Sequence, residues 1–267
     1  MSLRKATGVI LIVAVMLLSA GFAVADELRG GLLYDKWWAV NGSPEPTGDH
    51  PLYPPVGQKS GSTTFRCKEC HGWDYKGADG AYGPSNSHFT GIPGIFGTTL
   101  SAGEIFDLLK NPDTITVNGH DFGNIGLADF DINDLVDFVQ IELIDTDLFI
   151  SPSAIFIGDE VVGEVDYNGD AACWLCHGVD GTNINFGSPG DPVWVGNIAS
   201  ENPWEFIHKV RMGQPNSPMP SWVSRGGSDQ EAANVGRHSQ MNLAGGTLIF
   251  EDGFESGDTA GWSSSEG

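Results

Sequence analysis

Two pentapeptides, Cys67-Lys68-Glu69-Cys70-His71 and Cys173-Trp174-Leu175-Cys176-His177, constrain this chain more than anything else in it. Each reads C-x-x-C-H, the spacing at which two thiols can form thioether bonds to the vinyl groups of a haem while the adjacent imidazole ligates its iron. Three other chemistries use paired cysteines: a disulfide framework, a thioredoxin-like redox pair and a zinc site. The sequence has Cys 4 and the two motifs take all of them, so none is left for a separate framework. Neither motif is flanked by the strand-helix-strand pattern of a thioredoxin. Zinc, the strongest rival, would need two distant segments to converge, and it leaves unexplained why His follows the second Cys both times. A repeated pentapeptide is also a far more specific signal than a single copy.

A chain of 267 residues with two spaced motifs fits two domains. Its hydrophobic content of 40% supplies real cores, while Gly 37 and Pro 15 point to long shaped loops between few helices. Asp+Glu 35 against Lys+Arg 13 gives a formal net charge of −22, which excludes nucleic acid as a partner. Basic proteins are the expected partners, with solubility outside the cell as the plainer reason for the charge.

Residues 1–25 have the layout of a secretory signal peptide: Arg4 and Lys5, an apolar run from Val9 to Leu18, and Ala23-Val24-Ala25 as the cleavage site. Cleavage leaves no membrane span and places the chain in the periplasm or outside the cell; an uncleaved N-terminal anchor is the alternative. Residues 26–60, with Tyr34, Trp37, Trp38, Tyr53 and Pro54-Pro55 among Gly and Ser, read as an irregular aromatic wrap. Arg66, just before the first motif, is either a propionate partner or a surface cation.

Ser101-Ala102-Gly103-Glu104 is a capping box that starts a helix carrying Ile105, Leu108 and Leu109, stopped at Asn111-Pro112. A loop with Gly119-His120-Asp121-Phe122 comes next, then a helix from Asp131 with Ile132, Leu135, Val136, Val139 and Leu143 on one face. The alternating β-branched pieces of 146–170 read as strands or an extended connector. Beyond the second motif the plan recurs. Asn202-Pro203-Trp204-Glu205 caps a helix that Gly213 ends, Pro218-Met219-Pro220 sits in the next loop, and Ser228-Asp229-Gln230-Glu231 starts a last helix with a thin apolar face. The tail, 245–267, is acidic and Ser-rich and reads as disordered.

At this point the chain resembles the diheme cytochrome c family, built from two class-I-like domains. The resemblance covers about residues 60–243 and is carried by the two motifs and by Asn202 to Met219. It implies a mainly α fold of two tandem cytochrome c domains with long irregular loops, at 61–145 and 171–244, and two covalently bound c-type haems. Cys67, Cys70, Cys173 and Cys176 would carry the thioethers, and His71 and His177 would be the proximal iron ligands. The family takes its distal Met from a loop between the last two helices, the place that Met219 holds here. Met212 is its local competitor and reads better as core. Between His71 and Cys173 there is no Met, so the first haem departs from the family pattern. His120 holds the corresponding loop; His50 and His88 are lesser choices, and an open iron is the remaining one. His208 and His238 read as structural or exposed, and Lys209 and Arg211 as propionate partners, partner contacts or a solvated helix face.

The function expected is that of an exported electron carrier, with a bis-His first haem of low potential and a His/Met second haem of high potential. The alternatives are a haem enzyme with an exchangeable first iron, acting on peroxide, a sulfur compound or nitric oxide, and a subunit of a larger redox complex.

Overall fold

The computed structural model describes residues 23–112 and 119–246, with side chains from Leu28 onward in the first helix. The described chain is mainly helical, and its extended structure is limited to the isolated bridges Gly77 to Pro93, Ile150 to Phe156 and Ser188 to Asp191. Among the described residues no helix is long and apolar enough to cross a membrane. The expected leader at 1–25 falls outside these residues up to 22, as does the tail from 247.

Two compact units emerge. The first takes the chain up to Asp145 together with His208–Gly227, and the second takes Thr146–Ile207 together with the chain from Ser228. The first contains α1 (Ala23–Asn41, broken at Lys36), α2 (Cys67–His71), α3 (Ala102–Lys110), α4 (Phe122–Ile125) and α5 (Asp129–Asp137), which runs on into a π-helical turn at Phe138–Glu142. The second contains α6 (Glu160–Asn168), α7 (Trp174–His177), α8 (Val195–Glu201) and α10 (Asp229–Asn242). Helix α9 (Pro203–Met212) is divided between them after Ile207.

The helix starts obey their caps. Ser101 N–H donates to Glu104 Oε2 at 2.8 Å and Glu104 N–H to Ser101 Oγ at 3.4 Å, and Ser228 and Glu231 exchange the same pair at 2.7 and 3.2 Å. Asn202 Oδ1 accepts Glu205 N–H at 3.3 Å ahead of Pro203. Each box satisfies amide donors that a helix end would otherwise leave bare.

Both units are closed by one device, a glycine on an early helix against the backbone of a late one. A Cβ on Gly30 of α1 would lie 2.6 Å from Phe138 Cβ and against the Asp134 carbonyl; one on Gly163 of α6 would lie 3.0 Å from His238 Cβ and against the Asn234 carbonyl. Only a glycine admits that approach. One turn further along, Tyr34 packs on Phe138 with ring centroids 5.4 Å apart, and Tyr167 on His238 at 5.5 Å. Leu33, Trp37, Ile132 and Leu135 complete the buried seam of the first unit, and Arg29 pairs with Asp131 and Asp134 at its edge. In the second, Ala232, Ala233 and Gly236 let α10 pack closely with little apolar volume.

These helices correct three expectations. The aromatic wrap expected at 26–60 is helical up to Asn41, because Leu33, Tyr34 and Trp37 share one buried face; Gly30-Gly31 looks like a turn signal and is instead a contact surface. The extended connector expected at 146–170 contains α6. Its β-branched valines favour strand locally, but Asp159 Oδ1 accepts the Val161 and Val162 amides at 2.9 and 3.0 Å and fixes a helix start. The chain passes from one unit to the other after Asp145, and 208–227, expected within 171–244, packs with the first unit. His208, Lys209, Arg211 and Met212 account for that. The His208 ring donates from Nε2 to Gly31 O at 3.1 Å, Lys209 pairs with Asp35, Arg211 Nη2 lies 3.3 Å from Glu142, and Met212 is core.

Candidate functional site

Each pentapeptide forms a single helical turn that ends on a glycine with positive φ, Gly72 at 77° and Gly178 at 83°. Those glycine carbonyls accept the buried phenols of the early helices, Tyr34 O–H to Gly72 O at 2.6 Å and Tyr167 O–H to Gly178 O at 2.7 Å. The carbonyl of each motif histidine also accepts an amide from the next loop, from Gly77 to His71 at 2.8 Å and from Asn183 to His177 at 2.9 Å. Each motif is therefore pinned twice by equivalent contacts. The two phenols escape a search for ligand-type residues; the signal that finds them is glycine followed four residues later by tyrosine upstream of each motif.

In the first unit His71 and His120 come together, with ring centroids 6.1 Å apart and planes inclined by 39°. An iron midway between two imidazoles, at metal–nitrogen distances of about 2.0 Å, would set those centroids about 6 Å apart. Both rings are oriented through the other nitrogen. His71 donates from Nδ1 to Pro93 O at 2.9 Å and His120 from Nδ1 to Leu108 O at 3.3 Å, which leaves the lone pair of each on Nε2. Burial and the neighbouring His120 push the His71 pKa down to about 4, and burial lowers that of His120 against the pull of its hydrogen bond, so both are neutral donors at physiological pH. Burial likewise pushes the Cys67 and Cys70 thiols up to about 12. All four cysteines are free thiols, and among the described residues no three of His, Cys, Asp and Glu gather as a metal site. His71 and His120 would offer a haem iron two neutral imidazoles, and Cys67 and Cys70 the two thiols for its attachment.

The lesser histidines are occupied. His50 Nδ1 accepts Leu52 N–H at 3.1 Å while its Nε2 donates to the His120 carbonyl at 3.3 Å, so it buttresses the His120 loop. His88 donates from Nδ1 to Glu69 Oε1 at 2.8 Å and stacks on Tyr82. His208 is wholly buried, accepts the Tyr75 O–H on Nδ1 at 2.8 Å, and is structural, as is His238 in the seam of the second unit. The cations offered for propionates are engaged elsewhere. Arg66 and Lys209 share the buried carboxylate of Asp35, whose pKa burial raises but the Lys209 and Arg66 charges bring below the ordinary range.

The second motif is built the same way but left open. Cys173 is half-buried, Cys176 is exposed, and His177 Nδ1 is buried without a hydrogen-bond partner. The ring beside His177 is Phe186, with centroids 6.1 Å apart. Met219 is half-buried on the 208–227 segment that belongs to the first unit, its N–H donating to Ser217 Oγ at 3.2 Å. Exposed Ile184 and Phe186 on the loop after His177 form an apolar surface of the kind a porphyrin covers. The residues present fit a haem here through two sulfurs and one imidazole.

Comparison of the chain with protein-family models, with curated proteins and with solved structures returns no match.

Proposed function

We propose that the chain is an exported diheme c-type cytochrome, two tandem cytochrome c domains that pass single electrons between partner proteins outside the cytoplasm. The observation that carries this reading is the neighbouring pair His71 and His120, 6.1 Å between centroids, with both Nδ1 atoms tied to backbone carbonyls. Haem, when bound, supplies a one-electron iron couple. Cys67, Cys70, Cys173 and Cys176 hold the two groups covalently, His71 and His120 give the first iron two imidazoles, and His177 gives the second one imidazole. Met219 would supply the second iron with a thioether. A thioether is a softer and weaker donor to ferric iron than imidazole, so the first site has the lower potential and the second the higher.

The open second motif supports a second reading. The ring beside His177 is Phe186 and not a second imidazole, so in this reading the second iron would keep an exchangeable coordination position, and that position would serve an enzyme.

Absorption and electron paramagnetic resonance spectra of the purified holoprotein test both. Two haems by mass and two low-spin signals, one bis-imidazole and one imidazole-thioether, are expected. His120→Ala should turn the first signal high-spin and Met219→Ala the second. A mass gain of one haem or none refutes the diheme reading. A high-spin second haem that binds carbon monoxide in the unaltered protein replaces the carrier with the enzyme.

A further inference from the structure

At 100° per residue, Cys173, Cys176 and His177 fall within one 100° arc of the second motif's helical turn, Leu175 lies on the opposite side, and Trp174 lies between His177 and Leu175. A haem held by that first set therefore leaves Leu175 uncovered. In the first unit the two corresponding positions are Lys68 and Glu69. Both are buried, joined by an ion pair of 2.9 Å, with Glu69 also holding His88. In the second unit the positions are apolar and open: Trp174 is 40% exposed, Leu175 62%, and nearby Val179 69%. Scattered exposed apolar residues are ordinary; what sets these three apart is that they lie within six residues of sequence around the attachment site, where an interaction surface is expected.

Charge says what fits there. Across 146–207 and 228–246 twelve Asp and Glu stand against one cation, Arg237, which is itself buried. Glu164, Asp170 and Asp180 are exposed on the segments that flank the patch. A second copy of this chain would bring the same acidic rim and be repelled, as would nucleic acid or an anionic membrane.

We infer that Trp174, Leu175 and Val179 form the docking face of the second unit, and that its occupant is a redox protein presenting an apolar centre within a ring of lysines and arginines. This rests on the diheme reading.

The test uses the holoprotein, reduced, with a basic ferric monohaem cytochrome c as the oxidant probe, so that one electron passes from this protein to the probe. At low ionic strength the wild-type rate should be fast and fall steeply with added salt. Leu175→Lys/Val179→Lys should slow it about ten-fold or more. Val56→Lys/Ile141→Lys, an equal charge change at exposed apolar positions of the first unit, should slow it by less than about two-fold. Oxidation by ferricyanide should respond alike in both variants. Equal slowing by the two variants, no slowing by either, or self-association abolished by the patch variant would each overturn the docking face. Failure of the diheme reading shows separately, as absent haem bands before any rate is measured.

Discussion

The glycines at the two helix crossings offer a test in which opposing effects can be weighed. Replacing a helical glycine by alanine gains about 0.5–1 kcal/mol by restricting the unfolded chain and restoring helix propensity. At Gly103 in α3 a Cβ meets nothing within 4 Å, so Gly103→Ala should be stabilised by that amount. At Gly30 the same methyl sits 2.0 Å from the Asp134 carbonyl oxygen and 2.6 Å from Phe138 Cβ, where ordinary contact begins near 3.4 Å, so α1 and α5 must part by at least about 0.8 Å or distort. A gap of that size forfeits a quarter to a half of each contact across the seam. If Tyr34 and Phe138 together make about forty such contacts at 0.1–0.2 kcal/mol, the loss is about 2 kcal/mol, with overpacking strain of about 1–3 kcal/mol on top. Set against the propensity gain, Gly30→Ala should cost about 2–4 kcal/mol. Gly163→Ala, with His238 Cβ at 3.0 Å and the Asn234 carbonyl closer still, should cost at least as much in the second unit. Urea denaturation of the holoprotein followed by far-ultraviolet circular dichroism reads all three. Gly163→Ala as stable as wild type, alongside a stabilised Gly103→Ala, would refute the close crossing and with it the structural repeat.

Buried hydrogen bonds and a buried imidazole give two further expected outcomes. Tyr34→Phe and Tyr167→Phe each strand a glycine carbonyl that now accepts at 2.6 or 2.7 Å, and each should cost about 1–3 kcal/mol in the same urea assay. Burial pushes the His208 pKa down to about 3, so the native ring stays neutral while the unfolded chain takes up a proton below about 6.5. The unfolded state then binds more protons, and the stability present above pH 6.5 is lost as pH falls toward 3, at up to about 1.4 kcal/mol per pH unit. His208→Gln should flatten the urea midpoint between pH 4 and 6.5 by that one proton relative to wild type; an unchanged slope would show that His208 is protonated in the native state.

Where a residue's role was set by its immediate neighbours in sequence, the chain was legible. Ser101 with Glu104, Ser228 with Glu231 and Asn202 with Pro203 announced three helices, and those helices formed. His120 stood out as the ligand-type residue in the loop after the first motif, and its ring lies 6.1 Å from that of His71. The early helix of each unit was not legible, because its information is not local. Gly30 and Gly163 look like chain breakers until the partner backbone is known, and the valines of α6 prefer strand until Asp159 caps them. The same holds for 208–227, which comes after the second motif in sequence yet packs with the first unit through Lys209 on Asp35 and Met212 in the core.

The difference between the two motifs traces to the loops on their C-terminal sides. After His71 a long loop brings Tyr82 and His88 back over Glu69 and sends Pro93 to the His71 ring, so the outer side of the first turn is buried and the charges it carries are paired. After His177 a shorter loop runs from Gly178 to Trp194 and does neither: His177 Nδ1 lacks an acceptor, and the outer side of the second turn faces solvent. A solvent-facing turn imposes no need for Trp174 and Leu175, since polar residues would be tolerated there at no cost to the fold. Their apolar character is what the proposed docking face would use. The ring neighbour of His71 is His120, within the same unit, whereas the ring beside His177 is Phe186.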